Sequence, residues 1–248
     1  MNESKPLVDK VALVTGAAHR VGKAIALALA QEGANLVIHY YRSADSAAET
    51  ARAVRALGCE VLTVGADLGE VAGIERLFEA VEAELGRLDI LVNSASAFEP
   101  VEFMEMTAAQ WDRTLSVNLR APAFCAQAAA HLMARTGSGH IINIADVIGL
   151  RPWQRFPHHS VSKAGVVMLT QVLAMSLAPH IRVNAIAPGP VLKPSDMSEE
   201  RWQMIGAGSL LGRPGQPSDV ADAVVFLVGS DYITGEVLVV DGGSRFVG

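Results

Sequence analysis

Apolar positions along this chain follow two alternating rhythms. Short unbroken runs such as Val11 to Val14 are too brief for a helix and end at turn residues, so they read as buried strands. After that run, from Gly22 onward, Ile25, Ala26, Leu29 and Ala30 recur at helical spacing until Gly33 supplies a stop. The same alternation predicts further strands at Asn35–His39, Glu60–Val64, Ile90–Asn93, His140–Ala145, Ile181–Ala187 and Glu236–Val240. Helices are expected at Asp45–Leu57, ended by Gly58, and at Val71–Leu85, closed by Gly86. A long helix should open at the capping-box pair Thr107 and Gln110 and run to about Arg135, with a bend at Pro122. Two more are expected at Ser160–Leu177 and Ser218–Leu227. About seven strands alternating with helices predict an α/β fold, a doubly wound parallel sheet with helices on both faces. The one irregular stretch, Pro188 to Gly215, is rich in Pro, Gly and Ser; so long a loop inside a compact domain points to function. Its middle, about 190–212, with Trp202 and Met204, is expected to act as a substrate lid.

Composition narrows the class. With 248 residues, 50% of them hydrophobic and 19% charged, residues 1–248 can form one domain around a large core. The net charge of −6 and the lack of a basic cluster argue against nucleic acid or an anionic membrane as partner. The N-terminus MNESKPLVDK has no apolar signal core, so a cytoplasmic location is expected. Cys59 and Cys125 stand outside any ligand pattern and read as reduced structural thiols. The adjacent His158 and His159 would point apart on one element, and no metal site is expected.

The first strand, turn and helix suggest a ligand. A strand, a tight turn of small residues and a helix N-terminus present free backbone N–H groups to an anion, and small side chains let a pyrophosphate approach closely. In such a fold the end of the second strand reaches the adenosine ribose, where an acidic residue selects a free 2′-hydroxyl and an Arg a 2′-phosphate. No carboxylate directly follows His39; Tyr41, Arg42 and Ser43 do follow closely, and Arg20 lies in the first loop. Two guanidinium groups suit a phosphate through charge-assisted bonds, so the cofactor is read as NADP(H).

Several segments, in order and spacing, resemble the short-chain dehydrogenases/reductases over nearly the full chain. They are TGAAHRVG at the first loop (Gly16, Arg20, Val21, Gly22), GADL (Asp67, Leu68), NSAS (Asn93, Ser94, Ala95, Ser96), SVNL (Asn118), Pro188-Gly189 and the C-terminal VDGG. The resemblance implies a Rossmann-type fold. It also implies cofactor contacts at those first-loop residues, at Asp67, Leu68, Asn93, Ser94 and Ala95, and at Lys163, Pro188, Gly189 and Val191. Arg20, HYYRSA and NSASAFEP are further similar to the pteridine reductases, in which an aromatic at the position of Phe98 sandwiches a pterin; Ser96, Phe98 and Asp146 would then contact substrate. Trp153 and Phe156 are expected at the substrate entrance. The family also implies a homotetramer, built on the Thr107 and Ser160 helices and on the C-terminal strand with its preceding helix. The Ser160 helix carries Val161, Met168, Val172 and Met175, more apolar surface than one buried stripe needs.

That family places a Ser thirteen residues before a Tyr and a Lys four after it; here the tetrad becomes Asn118, Asp146, His159 and Lys163. An ionised carboxylate at position 146 would repel the charge that builds on a ketone oxygen, whereas a carboxylic acid suits protonation of a ring nitrogen. The imidazole of His159 can carry a proton near neutral pH but is shorter than a phenol. Three readings follow. The first is an NADP(H)-dependent reductase of a pterin-like heterocycle, the second a 3-oxoacyl-carrier or other ketone reductase, and the third a cofactor-binding protein whose catalysis is weakened or lost at His159.

Overall fold

The first strand shows how the core is divided in the computed structural model, which describes residues 5–247. β1 (Val11–Val14) sends Val11 and Leu13 into one apolar cluster and Ala12 and Val14 into another, because successive side chains leave a strand on opposite faces. All four are buried, as an unbroken apolar run requires when both faces of a sheet are covered. β2 (Asn35–Tyr40), β3 (Val61–Gly65), β4 (Ile90–Asn93), β5 (Gly139–Ile144), β6 (Ile181–Pro188) and β7 (Val237–Val240) complete it. Among the described residues this is one seven-stranded sheet in the order β3-β2-β1-β4-β5-β6-β7, every pair parallel.

The helices are α1 (Arg20–Gln31), α2 (Ala44–Ala56), α3 (Val71–Leu85), α4 (Ala108–Leu115), α5 (Ala121–Thr136), α6 (Pro157–Leu177), α7 (Glu199–Ala207) and α8 (Pro217–Gly229). Buried residues of α1, α2 and α8 fill one face of the sheet, and those of α3, α5 and α6 the other. Each fully buried Leu, such as Leu13, Leu29 or Leu77, is worth ~1.5–3 kcal/mol of transfer free energy. The chain runs outward from β1 to β3 and then returns to lay β4 on the other side of β1. At such a reversal the connections leave the strand ends in opposite directions and open a crevice, which gathers the loops after β1, β4, β5 and β6 at one edge.

Three elements depart from the sequence pattern. The helix opened by the Thr107–Gln110 capping box is not bent at Pro122; a π turn at Ser116–Arg120 interrupts it, and Pro122 lies in the first turn of α5, where its missing N–H costs nothing. α6 begins at Pro157, three residues before the expected Ser160, for the same reason, and so carries His158 and His159 on the helix. Within the irregular stretch β6 extends to Pro188, and α7 forms behind Ser198, whose hydroxyl accepts a bond from the Arg201 amide.

Candidate active site

The loop after β1 closes tightly because two glycines permit it. Gly16 has φ +67, and a Cβ there would lie 3.0 Å from the Ala95 Cα. A Cβ on Gly22 would lie 2.4 Å from the Gly16 carbonyl oxygen, so α1 could not pack onto its own loop with any other residue. Arg20 holds φ +61, a left-handed conformation costing a side-chain-bearing residue ~1–2 kcal/mol, which places a guanidinium at the start of α1. No side chain caps α1: His19 at the N-cap makes no capping bond. The first-turn amides are thus donors without intrahelical partners, beside the small residues Ala17, Ala18, Ser94 and Ala95. Arg42 donates to the Tyr41 hydroxyl at 2.8 Å and lies 4.6 Å over its ring, exposed at the end of β2. Uncapped amides, small walls and two exposed guanidinium groups suit a dinucleotide diphosphate bearing an additional phosphate.

The other cofactor candidates divide between backbone and side-chain roles. Asp67 accepts from the Gly69 amide at 2.9 Å and Leu68 is buried beside it. Asn93 does not offer its side chain to the crevice: Nδ2 donates to Asn143 Oδ1 at 2.9 Å, inside the sheet, and also to the Pro122 carbonyl. Buried amides need such partners, so only the Asn93 backbone borders the crevice. Ser94 and Ala95 donate their amides to Thr15 Oγ1 at 2.9 and 3.0 Å, a role the sequence pattern did not assign to Thr15. A hydroxyl between the first apolar run and its Gly is the signal that could have found it. Gly189 donates to the Val240 carbonyl at 2.9 Å, and Val191 is buried just beyond.

The π turn explains Asn118. Widening the helix at this point carries the residue inward, where Oδ1 accepts from the Ala97 amide at 2.7 Å and Nδ2 donates to the Ala97 carbonyl at 2.9 Å. The same Nδ2 lies 3.1 Å from His159 Nδ1 and 3.2 Å from Ser162 Oγ, while Ser96 donates to Oδ1 at 3.3 Å. His159 Nδ1 also lies 3.1 Å from the Ala97 carbonyl, and Nε2, buried and without a hydrogen bond, is 3.7 Å from Asp146 Oδ2. Asp146 accepts from the Ile148 amide through Oδ1 at 2.9 Å, which leaves Oδ2 to face the imidazole. The fold brings Asn118, Asp146 and His159 together; Ser162, which joins them, had no distinguishing pattern.

Lys163 is anchored by the strand beside it. Its Nζ donates to the Ile144 carbonyl at 2.7 Å, and among the described residues no hydrogen bond joins it to His159. Complete burial pushes its pKa down from 10.5 to about 8, with Asp146 opposing the shift. Phe98, 52% exposed, stacks on Phe156 with centroids 4.5 Å apart and meets His159 edge-on at 4.8 Å. Trp153 meets Phe156 at 6.0 Å, so the three aromatics form one wall. A cavity of about 530 Å³ beside it is lined by Val147, Arg151, Trp153, Pro190, Ile205 and Val247. In α7, Trp202 is buried and Met204 exposed.

The fold recurs over nearly the whole chain in known proteins. Residues 16–245 match the family model described as enoyl-(acyl carrier protein) reductase. The chain is 38% identical over 246 residues to 2-dehydro-3-deoxy-D-gluconate 5-dehydrogenase of Escherichia coli K12, with 96% of each chain covered. It superposes with TM-score 0.92 and 33% identity on a Sinorhizobium meliloti 1021 protein assigned as a short-chain alcohol dehydrogenase, covering 98% and 99% of the two chains. With the angucycline C-6 ketoreductase LanV, solved with bound NADP, the TM-score is 0.89 at 32% identity and 97% of each chain is covered.

Proposed function

The chain belongs to the short-chain dehydrogenase/reductase family, and from that premise we propose that it is an NADP(H)-dependent oxidoreductase reducing a C=N bond of a flat, pterin-like heterocycle. Asp146 carries the reading. Its side chain is 30% exposed at the cleft, 3.7 Å from the buried Nε2 of His159, where a ketone reductase would present a hydroxyl. A carboxyl group there can hand a proton to a ring nitrogen, and a carboxylate there disfavours an oxyanion. The nicotinamide, when bound, supplies the hydride; Gly16, Arg20, Val21, Gly22, Arg42 and Ser43 would hold the phosphates and ribose, with Asp67 at the adenine. Phe98, backed by Phe156 and Trp153, offers a ring a stacking face worth ~0.5–1.5 kcal/mol beyond its area. His159, its Nδ1 3.1 Å from both the Ala97 carbonyl and Asn118 Nδ2, turns Nε2 toward Asp146, and Asp146 or a water held by His159 would supply the proton to substrate nitrogen. The 190–212 segment, with α7, would close over the cleft.

Ketone reduction is the second reading, favoured by the likeness to LanV, a ketoreductase. NADPH oxidation on parallel panels of dihydropterins and ketones separates the two. The parent protein is expected to turn over dihydropterins, and Asp146→Ser to shift the ratio of rates toward ketones by about tenfold or more. A parent protein active on ketones alone would reject the pterin reading. Exposed Val161, Met168, Val172 and Met175 on α6, with Phe124 on α5, support self-association of these chains, which the proposal takes to be a homotetramer.

A further inference from the structure

His39 lies at the end of β2, outside the residues assigned above, and is buried. Its two ring nitrogens serve two different loops. Nδ1 lies 3.1 Å from the Gly16 amide nitrogen, and Nε2 lies 3.0 Å from the Ala66 carbonyl oxygen. An amide can only donate and a carbonyl can only accept, so the ring must be neutral, with its proton on Nε2. Burial, the largest influence, pushes its pKa down, in keeping with that neutral form, although the Ala66 bond and nearby Asp67 act the other way.

The two partners are not equivalent pieces of backbone. Gly16 opens the loop that would face the diphosphate, and Ala66 directly precedes Asp67, at the adenine end of the same crevice. Further bonds already run along this edge: Ala17 donates to the His39 carbonyl and Ala66 to the Tyr40 carbonyl, each at 3.0 Å. Neither reaches the Gly16 amide, for which the imidazole is the acceptor. Without it the part-buried Gly16 amide loses its partner within the protein.

We propose that His39 is a positioning residue for the dinucleotide, a single-tautomer clamp on the first loop: the Ala66 bond keeps its proton on Nε2, and Nδ1, left as an acceptor, holds the Gly16 amide and with it the loop that would face the diphosphate. This rests on the cofactor reading above. The two nitrogens can be tested apart, because an Asn amide stands where Nδ1 does and a Gln amide where Nε2 does. His39→Asn keeps an acceptor for Gly16; His39→Gln keeps the link to Ala66 and fills more of the buried volume. If His39 only fills the core, Gln is the better substitute. If it clamps Gly16, Asn is.

The experiment is NADPH binding by fluorescence titration of the full chain, with melting temperature and Gly16 amide exchange measured in each variant. The clamp predicts that His39→Asn stays within about threefold of the parent dissociation constant while His39→Gln weakens it about tenfold or more. Gly16 exchange should be slow in the parent and in Asn, and fast in Gln. Equal affinity of the two variants, or tighter binding by Gln, overturns the clamp while leaving the cofactor reading intact. A parent protein that binds neither NADPH nor NADH overturns both.

Discussion

Lys163 is costly to the fold, and the cost is measurable. Its ammonium is fully buried, with one hydrogen bond to the Ile144 carbonyl, and its pKa falls from 10.5 to about 8. The unfolded chain keeps the proton up to the ordinary lysine range, whereas the folded chain releases it from about pH 8 upward. Between those values the unfolded state binds more protons, so stability rises with pH there. At 1.36 kcal/mol per pKa unit the difference amounts to about 3 kcal/mol, fully felt below pH 8 and relieved by pH 10.5. Lys163→Met keeps the length of the side chain and removes the charge. It also removes the donor to Ile144, an offset of ~1 kcal/mol that does not vary with pH. Urea unfolding of parent and variant, without cofactor, from about pH 7 to 10.5 isolates the effect. The stability of the variant relative to the parent should decline by about 3 kcal/mol across that window, while turnover by the variant is lost at every pH. Parallel stability curves, or a parent that loses ground as pH rises, would refute the argument.

His159→Tyr tests the altered tetrad: with Asn118 and Lys163 in place, a phenol should raise turnover on the order of 10²-fold, and a fall would show that the imidazole itself is the acid. Arg42→Ala should weaken NADPH and leave NADH unchanged, because only the former carries the phosphate that pairs with Arg20 and Arg42; equal parental affinity for the two cofactors would remove the basis for the NADP(H) assignment. Sedimentation at micromolar concentration should give a tetramer that Met175→Glu dissociates, because Met175 is 84% exposed on α6; a monomeric parent would refute the assembly.

Much of this is legible in the sequence. Val11 to Val14, the helical spacing from Gly22 and the Gly86 stop are statements about neighbours in the chain, and the strands, helices and their alternation follow from them. The positions of Asn118, Asp146 and His159 were legible too, because motif spacing records which strand end or helix turn carries each residue. What the side chains do with those positions was decided elsewhere. Asn93 sits at the expected strand end yet bonds to Asn143, fifty residues on, because the sheet lays β5 beside β4. Lys163 is one turn from His159 as expected, yet reaches across to Ile144. Where a bend was expected at Pro122, the helix is instead interrupted by a π turn whose Asn118 bonds Ala97, twenty-one residues away. His39 looked like an ordinary strand residue until two loops closed on its two nitrogens. Local periodicity carries information over a few residues, whereas hydrogen-bond partners in a parallel sheet lie tens of residues away, so the elements were written in the sequence and their couplings only in the fold.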